Sequence, residues 1–262
     1  MLAERTRSEL LRQAHANFAA AYRVLAEAVP AGAVAEIDCA LGCVTGVLEP
    51  EFNRLFVNEP PADPAGMLRE AKAFFAQHDM PWMLVAAPEV AEELREVAPA
   101  AGLSYSRPMP GMLLAPLAEL TREVEGLEIQ RVTDAGLAAI YVGALATGYG
   151  APGGLFEVFG APGTWDTDET ESFIGWLDGN AVGTATLVLS GEMAGVYNIS
   201  AAPAFRRRGV GAAMTAAAIA AGRERGARAS TLQASAMGFP LYLGMGYEAF
   251  GSYRGWTFRA QP

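Results

Sequence analysis

The feature that most constrains the fold of this sequence is a strand, an arginine-rich loop and a helix that follow one another directly near residue 200. The strand-like run Gly195–Ala201 leads through Ala202-Pro203-Ala204-Phe205 into the loop Arg206-Arg207-Arg208-Gly209-Val210-Gly211. A long helix is predicted from Arg208 or Gly209 to Arg225, and Gly226 stands where helices commonly end. Small apolar residues on one face of this helix predict packing against a sheet.

The start of this helix is suited to bind a phosphate group. The first turn of a helix has N–H groups without intrahelical partners, and the helix dipole adds about half a positive charge there. Gly209 and Gly211 lack side chains that would keep an anion away from these groups. Arg206, Arg207 and Arg208 add positive charge, and arginine can bind phosphate through two parallel N–H groups. Alternatively, the glycines only permit close packing on the sheet and the arginines are solvated.

A second motif follows at a suitable distance. Tyr242 lies in a short predicted helix, Pro240–Met245, and the pair Gly246-Tyr247 comes directly after it. Together with the Arg206–Gly211 loop, this motif resembles the GNAT superfamily of acyl-CoA N-acyltransferases, whose signature is R/Q-x-x-G-x-G/A, followed later by a tyrosine and a G-F pair. The resemblance covers residues 127–258. Tyr247 replaces the phenylalanine, and Ser235 stands where family members often carry asparagine.

The resemblance implies direct transfer of an acetyl group from acetyl-CoA to an amine. The strand near Ser200 is expected to pair with the pantetheine arm, and the helix start to hold the pyrophosphate. A backbone N–H of Ile199 or Ala201 is the expected donor to the tetrahedral intermediate. The implied cofactor-binding residues are Ile199, Ser200, Ala201, Arg206, Arg207, Arg208, Gly209, Val210, Gly211 and Ala212.

Tyr242 is the implied catalytic residue, which protonates the leaving thiolate. A tyrosine that is packed only by its ring is the alternative. Weaker candidates for the general base are Glu192 and, through water, Asn198 or Tyr197. Two other function classes stay open at this point. One is a non-catalytic acyl-CoA sensor, and the other is a nucleotide-binding protein, which the absence of Rossmann and Walker patterns disfavours.

The N-terminal half contains the same order of predicted elements but no R-x-x-G-x-G loop. Its predicted elements are a helix at Ala3–Ala28, strand-like runs at Val34–Leu48 and Asn53–Val57, a helix from Asp63-Pro64 to Gln77, a strand at Trp82–Ala86, a helix at Glu89–Ala100 and final strands near Tyr105 and Met112–Leu114. The C-terminal half is expected to contain strands at Glu128–Val132, Thr170–Leu177, Ala181–Leu189, Gly195–Ala201, Ala229–Ala234 and Glu248–Phe258, a helix from Thr133-Asp134 to Ala146 and a short helix at Leu155–Phe159.

The predicted fold class is therefore α/β (α+β), with a mixed, mostly antiparallel twisted sheet flanked by helices. We expect two GNAT-like domains in tandem: a degenerate one at 1–120 and an acyl-CoA-binding one at 127–262. A single GNAT domain preceded by an unrelated N-terminal domain is the alternative.

The charge and the cysteine content limit the classes of partner that the chain is expected to bind. With 19 Lys and Arg against 29 Asp and Glu, the net charge is −10, which disfavours nucleic acid and anionic membranes. No apolar run reaches the ~20 residues of a membrane span, and the charged N-terminus lacks an apolar signal core, so we expect a cytoplasmic protein.

Cys39 and Cys43 are expected to be free thiols, and with only His15 and His78 no metal site is predicted. The sequence does not indicate an oligomeric state.

The charge pattern suggests a class of acceptor. Between Arg131 and Arg206 there is no Lys or Arg. The acidic residues of this stretch are Asp134, Glu157, Asp166, Asp168, Glu169, Glu171, Asp178 and Glu192. Because such a surface attracts cations, the hypothesis is that the acceptor is a small, cationic primary amine. A solvated acidic surface without a role in binding is the alternative.

Overall fold

The computed structural model describes residues 6–259, which form two compact units. The N-terminal unit contains Phe18–Gly111 and residues 250–259. The C-terminal unit contains Met112–Ala249 and residues 6–17. The first and the last described segment thus each belong to the unit that the opposite half mainly forms. The assignment of 1–120 and 127–262 as functional domains stays a prediction.

The N-terminal unit is built on a mixed sheet. Its elements are α1 (Arg7–Ala28), β1 (Ala33–Ile37), β2 (Ala40–Val44), β3 (Arg54–Val57), α2 (Pro64–Gln77), β4 (Trp82–Ala86), α3 (Val97–Ala100) and β5 (Ser104–Tyr105). Strands β1, β2 and β3 are antiparallel neighbours, and β3 runs parallel to β4. The last strand of the chain, Glu248–Phe258, pairs antiparallel with β4 and completes this sheet. The short strand β5 also pairs with that last strand.

The core of the N-terminal unit is aromatic. Every residue of β3 and β4 is buried, as expected for a parallel pair covered on both faces. The ring of Trp82 stacks on Phe75 of α2 at 4.8 Å between centroids. Phe18 packs edge-on against Phe56 and Tyr253, at 5.0 and 5.1 Å. These contacts hold α1 and α2 on the sheet.

Two predictions for this unit were wrong in detail. The strand-like run Val34–Leu48 is a hairpin of β1 and β2, because the chain turns at Asp38, whose φ is 53°. The predicted helix Glu89–Ala100 is a series of turns that becomes helical only in α3. Several of its bonds join residues three apart, as from Glu93 N–H to the Val90 oxygen, although buried residues keep helical spacing. The predicted helix start at Ala3 lies outside the described residues.

The C-terminal unit has the second sheet. Its elements are β6 (Met109–Leu114), β7 (Glu128–Arg131), α4 (Ala135–Tyr149), β8 (Thr170–Leu177), β9 (Asn180–Ser190), β10 (Met193–Ala201), α5 (Val210–Glu224), β11 (Ala229–Gln233), α6 (Phe239–Gly244) and the first residues of β12 (Glu248–Phe258). Strands β7 to β10 form an antiparallel series, and β10 runs parallel to β11. The predicted fold class is confirmed. The short helix expected at Leu155–Phe159 is a 3₁₀ segment, Gly153–Gly160.

Helix α5 packs on this sheet through small side chains. Val210, Met214 and Ala218 of its predicted inner face are buried. A Cβ on Gly222 would lie only 2.8 Å from Ala194 Cβ in β10, so the helix approaches the strand too closely for a larger residue. This close contact holds the last turn of α5 against β10. Among residues 6–259, no helix is both long and apolar enough to cross a bilayer.

Candidate functional site

Strands β10 and β11 separate part of the way along the sheet. They pair only from Met193 to Gly195, opposite Ala229 to Thr231, although β10 continues to Ala201 and β11 to Gln233. On its other side, β10 stays paired with β9 as far as Ala201, with a bulge between Tyr197 and Ser200. One edge of β10, residues 196–201, therefore faces a gap in the sheet. Backbone groups along such an edge can pair with an extended molecule.

Asn17 lies where the two strands begin to part. Its side chain is fully buried and donates to the Val188 oxygen at 3.0 Å and to Ser190 Oγ at 2.8 Å. The hydroxyl of Tyr197 donates to Asn17 Oδ1 at 2.7 Å. A Cβ on Gly195 would lie 1.8 Å from the same Oδ1, so this position requires glycine. Sequence reasoning missed Asn17, whose only signal is a polar residue beside the apolar stripe of α1.

The end of β10 leads into the predicted phosphate turn. A 3₁₀ turn, Pro203–Phe205, is followed by Arg207 at φ 62° and by Gly209 at φ 87°, the residue that caps α5. No side chain caps this helix. The first helical bond runs from Ala213 N–H to the Gly209 oxygen, so the N–H groups of residues 210–212 precede it. These are the groups that an anion binds at a helix start.

The glycine at position 211 lies under the short helix α6. A Cβ there would be 3.3 Å from Leu241 Cδ2 and 3.9 Å from Ile199 Cγ2. The turn is therefore bounded by the end of β10 on one side and by α6 on the other. Ser235 accepts a hydrogen bond from Gly238 N–H at 3.1 Å, which gives it a local role at the start of α6.

The three arginines of the turn are not equivalent. Arg207 and Arg208 are exposed, and the Arg208 guanidinium lies 5.3 Å from the centre of the Phe205 ring. Arg206 is partly buried and donates to two backbone oxygens, those of Gly148 and Ala201. Two of the three arginines that were predicted to bind phosphate, Arg207 and Arg208, are thus exposed to solvent.

Tyr242 is 7 % exposed and lies in α6. A Cβ on Gly238 would be 2.8 Å from Tyr242 Cε2, and the Tyr247 ring meets it edge-on at 5.9 Å. Burial raises the pKa of Tyr242 above the ordinary value, and nearby Tyr149 and Tyr247 raise it further. The phenol therefore keeps its proton at neutral pH.

Buried hydroxyl groups surround the bulge of β10. Thr186 Oγ1 is hydrogen-bonded to Tyr141 Oη at 2.6 Å and to Ser172 Oγ at 2.9 Å, and Asn198 Nδ2 donates to it at 3.4 Å. Burial raises the pKa of Tyr141 to about 12, against the lowering effect of these hydrogen bonds. Asn198 itself has a φ of 54°. Sequence reasoning missed this network, because its members come from separate elements.

Other predicted polar residues lie away from the gap. Glu192 is in the turn before β10 and pairs with Arg228 at 2.9 Å. Glu171 lies between two arginines, 2.8 Å from Arg225 and 3.5 Å from Arg131. The acidic stretch is thus partly neutralised. Among the described residues, no group of three or more His, Cys, Asp and Glu side chains is placed to hold a metal ion.

A separate cavity of about 540 Å³ lies beside α5 in the C-terminal unit. It is lined by residues 119–122 and by the alanines of α5, among them Ala213 and Ala220. None of the predicted site residues lines it. The candidate site is therefore the region of the parted strands, where Gly211 at the helix start lies beside Ile199 of β10 and Leu241 of α6.

The corresponding part of the N-terminal unit lacks this geometry. Strands β3 and β4 pair along the whole of β3, from Arg54 to Val57. At the start of α2, the Asp63 carboxylate accepts a hydrogen bond from Gly66 N–H at 2.9 Å, and Pro64 has no N–H group. A carboxylate already occupies the position in which a helix start binds an anion.

A parted parallel pair of strands, a glycine turn without a side-chain cap and a buried tyrosine thus occur together in the C-terminal unit. The model of the "Acetyltransferase (GNAT) family" matches residues 152–245, which include both the turn and Tyr242. Over this segment the chain is similar to the GNAT acetyltransferase family. No curated protein is similar enough in sequence to match the chain.

Solved structures share the fold over nearly the whole chain. A GCN5-related N-acetyltransferase from Kribbella flavida has a TM-score of 0.69 and 19 % identity, with 92 % of this chain and 96 % of that one covered. A tandem GNAT protein from the clavulanic acid biosynthesis pathway has a TM-score of 0.60 and 14 % identity, with 98 % and 97 % covered. A GCN5-related N-acetyltransferase from Sphaerobacter thermophilus has a TM-score of 0.60 and 14 % identity, with 86 % and 78 % covered.

Proposed function

We propose that the chain transfers an acetyl group from acetyl-CoA to the primary amine of a small molecule. The observation that carries this proposal is the separation of β10 from β11 beyond Gly195, at the end of β10 that leads into the α5 turn. An open strand edge followed directly by an uncapped helix start suits a molecule with an extended amide-containing arm and a pyrophosphate.

Each part of this site has a role toward acetyl-CoA. The edge of β10 around Ile199, Ser200 and Ala201 offers backbone N–H and C=O groups to the pantetheine arm. The amides of Val210, Gly211 and Ala212 hold the pyrophosphate, and the exposed Arg207 and Arg208 add charge near it.

The transfer is a direct substitution at the thioester carbon. The neutral amine forms the new nitrogen–carbon bond, and a backbone N–H of Ile199 or Ala201 stabilises the oxyanion before the carbon–sulfur bond breaks. Tyr242 donates its proton to the departing sulfur. We assign the water that accepts the amine proton to Asn198, since its side chain joins the Thr186 hydroxyl network at the bulge. A non-catalytic acyl-CoA sensor would bind acetyl-CoA without this step.

We further propose that the acceptor is cationic. The support is the absence of Lys and Arg from residues 132–205 together with the exposed carboxylates of Glu157 and Glu169. Asp166, Glu171 and Glu192 contribute less, because arginines neutralise them. We propose that the N-terminal unit is a degenerate GNAT-like domain without an acyl-CoA site of its own.

The test is a turnover assay that measures thiol release from acetyl-CoA with putrescine, tyramine, glucosamine and glutamate. We expect release with at least one amine, a higher kcat/KM for putrescine than for glutamate, and a decline with ionic strength as exposed charges are screened over about 8–10 Å. Acetyl-CoA binding without thiol release from any amine indicates the sensor instead. Faster turnover of glutamate, or a kcat/KM independent of salt, contradicts only the charge of the acceptor.

A further inference from the structure

Arg206 makes contacts that its two neighbours in the turn do not make. Its Nη2 donates to the Gly148 oxygen at 2.8 Å, and its Nε donates to the Ala201 oxygen at 3.3 Å. Gly148 lies in the last turn of α4, and Ala201 is the last residue of β10. The guanidinium therefore bridges the end of helix α4 and the end of the open strand.

The Gly148 oxygen is suited to such a partner. The last four carbonyl groups of a helix have no intrahelical N–H, and a partial negative charge gathers there. Helix α4 ends at Gly150, whose φ is 66° and whose N–H bonds to the oxygens of Ala146 and Thr147. Ala151 N–H also bonds to the Ala146 oxygen. Arg206 satisfies the next oxygen along the chain with a charged donor.

The end of α4 also touches β10 directly. A Cβ on Gly148 would lie 2.5 Å from both Cβ and Oγ of Ser200, so only glycine permits this approach. Ser200 Oγ is hydrogen-bonded to Thr184 Oγ1 at 2.7 Å, which leaves the serine little room to move. The next residue, Tyr149, is 55 % exposed, and its ring lies 5.5 Å from that of Phe156.

We propose that Arg206 is a positioning residue that fixes the end of α4 against the end of β10, so that Tyr149 forms the acceptor side of the gap. The charge of Arg206 is directed to two carbonyl groups, and Arg207, Arg208 and the turn amides supply the attraction for the pyrophosphate. The acceptor part of this inference rests on the proposed function. Its structural part, the immobilisation of α4 by Arg206, does not.

The experiment compares Arg206→Gln with Arg207→Gln and Arg208→Gln, which remove the same charge from exposed positions of the same turn. Three quantities are measured: the Kd of acetyl-CoA at two salt concentrations, the KM of the best amine in the panel of putrescine, tyramine, glucosamine and glutamate, and hydrogen–deuterium exchange of residues 144–150. For Arg206→Gln we expect exchange and amine KM to rise about ten-fold each, as for the loss of a charge-assisted hydrogen bond. The Kd and its salt dependence should change less than about three-fold.

The two control variants should show the opposite pattern, with a weaker and less salt-dependent acetyl-CoA affinity and unchanged exchange in α4. Gly148→Ala disrupts the same contact between α4 and β10 through a change in α4. It should reproduce the effect of Arg206→Gln on exchange and on amine KM. If Arg206→Gln instead behaves like Arg207→Gln and leaves exchange of α4 unchanged, Arg206 is a phosphate ligand and the inference is overturned. If no amine is acetylated, the proposed function fails while the exchange measurement still decides the role of Arg206.

Discussion

At the scale of single residues, burial decides what Tyr242 is able to do. A phenol in water has a pKa near 10, and the apolar surroundings of Tyr242 raise it further. The raised pKa keeps the donor protonated, but it also makes the proton harder to release. In the proposed reaction, a thiolate that departs beside Tyr242 would be desolvated in the same way, which favours its protonation. Proton transfer from Tyr242 is therefore consistent with its burial.

We expect Tyr242→Phe to lower kcat by about 100-fold and to change the KM of acetyl-CoA far less, because proton donation matters mainly in the transition state. The measurement is steady-state kinetics with acetyl-CoA and the best amine. Tyr247→Phe is the matched control, since it removes a buried hydroxyl that bonds to Ser230 Oγ at 2.6 Å and is expected to affect stability instead. If Tyr242→Phe keeps the kcat of the wild type, Tyr242 has a packing role only and does not donate a proton.

The direction of the pKa shift predicts a pH profile as well. Because the pKa of Tyr242 is raised above its ordinary value, the donor stays protonated up to at least pH 10. The kcat of the wild type should therefore show no loss from donor ionisation between pH 7 and 9.5, and Tyr242→Phe should leave the shape of the profile in that range unchanged. If the kcat of the wild type falls at high pH and that fall is absent from Tyr242→Phe, the pKa of Tyr242 is lower than expected and the prediction is wrong.

At the scale of elements, the start of α5 depends on two glycines for different reasons. Gly209 adopts a φ of 87°, which disfavours residues with a Cβ. Gly211 has an ordinary helical position, but it lies under Leu241 of α6. The first makes the turn possible, and the second leaves room between the helix start and α6. Both together leave the amides of the first turn accessible to a phosphate.

Gly211→Glu should raise the Kd of acetyl-CoA by at least about 100-fold, because it places a carboxylate beside the amides that hold the pyrophosphate and like charges repel by several kcal/mol. Gly211→Ala is the control for crowding: its Cβ lies 3.3 Å from a flexible leucine methyl, and the Kd should rise less than about ten-fold. Calorimetric titration of both folded variants measures the difference. If the two variants bind acetyl-CoA with the same Kd, the pyrophosphate binds elsewhere.

At the scale of the whole molecule, the two units share an element order but differ at the site. In the C-terminal unit the parallel strands part and the helix start is uncapped. In the N-terminal unit β3 and β4 stay paired, and Asp63 caps α2. An aspartate at that position satisfies the helix start and repels a phosphate in the same place.

We therefore expect one acetyl-CoA per chain. Titration calorimetry of the intact chain should give a stoichiometry near one, and Asp63→Asn, which keeps a capping side chain but removes its charge, should change neither the stoichiometry nor the Kd. Two equivalent sites, or a second site that appears in Asp63→Asn, show that the N-terminal unit binds the cofactor as well.

Local features account for what the sequence predicts well. The glycine turn at the start of α5, the length of α5, the capping of α2 by Asp63 and the strands of the C-terminal unit depend on residues close together in the chain. The prediction of a helix at Glu89–Ala100 was less accurate, because buried residues at helical spacing also fit a series of turns.

The sequence by itself therefore determined the class of fold and the position of the R-x-x-G-x-G turn, since hydrophobic periodicity, capping residues and glycines act over a few residues. Only the tertiary structure decided that β10 parts from β11 at Gly195, that Asn17 lies there, and that Arg206 reaches the last turn of α4. It also decided that β12 pairs with β4. These contacts join residues far apart in the chain, and they depend on how sheets and helices pack rather than on any local preference.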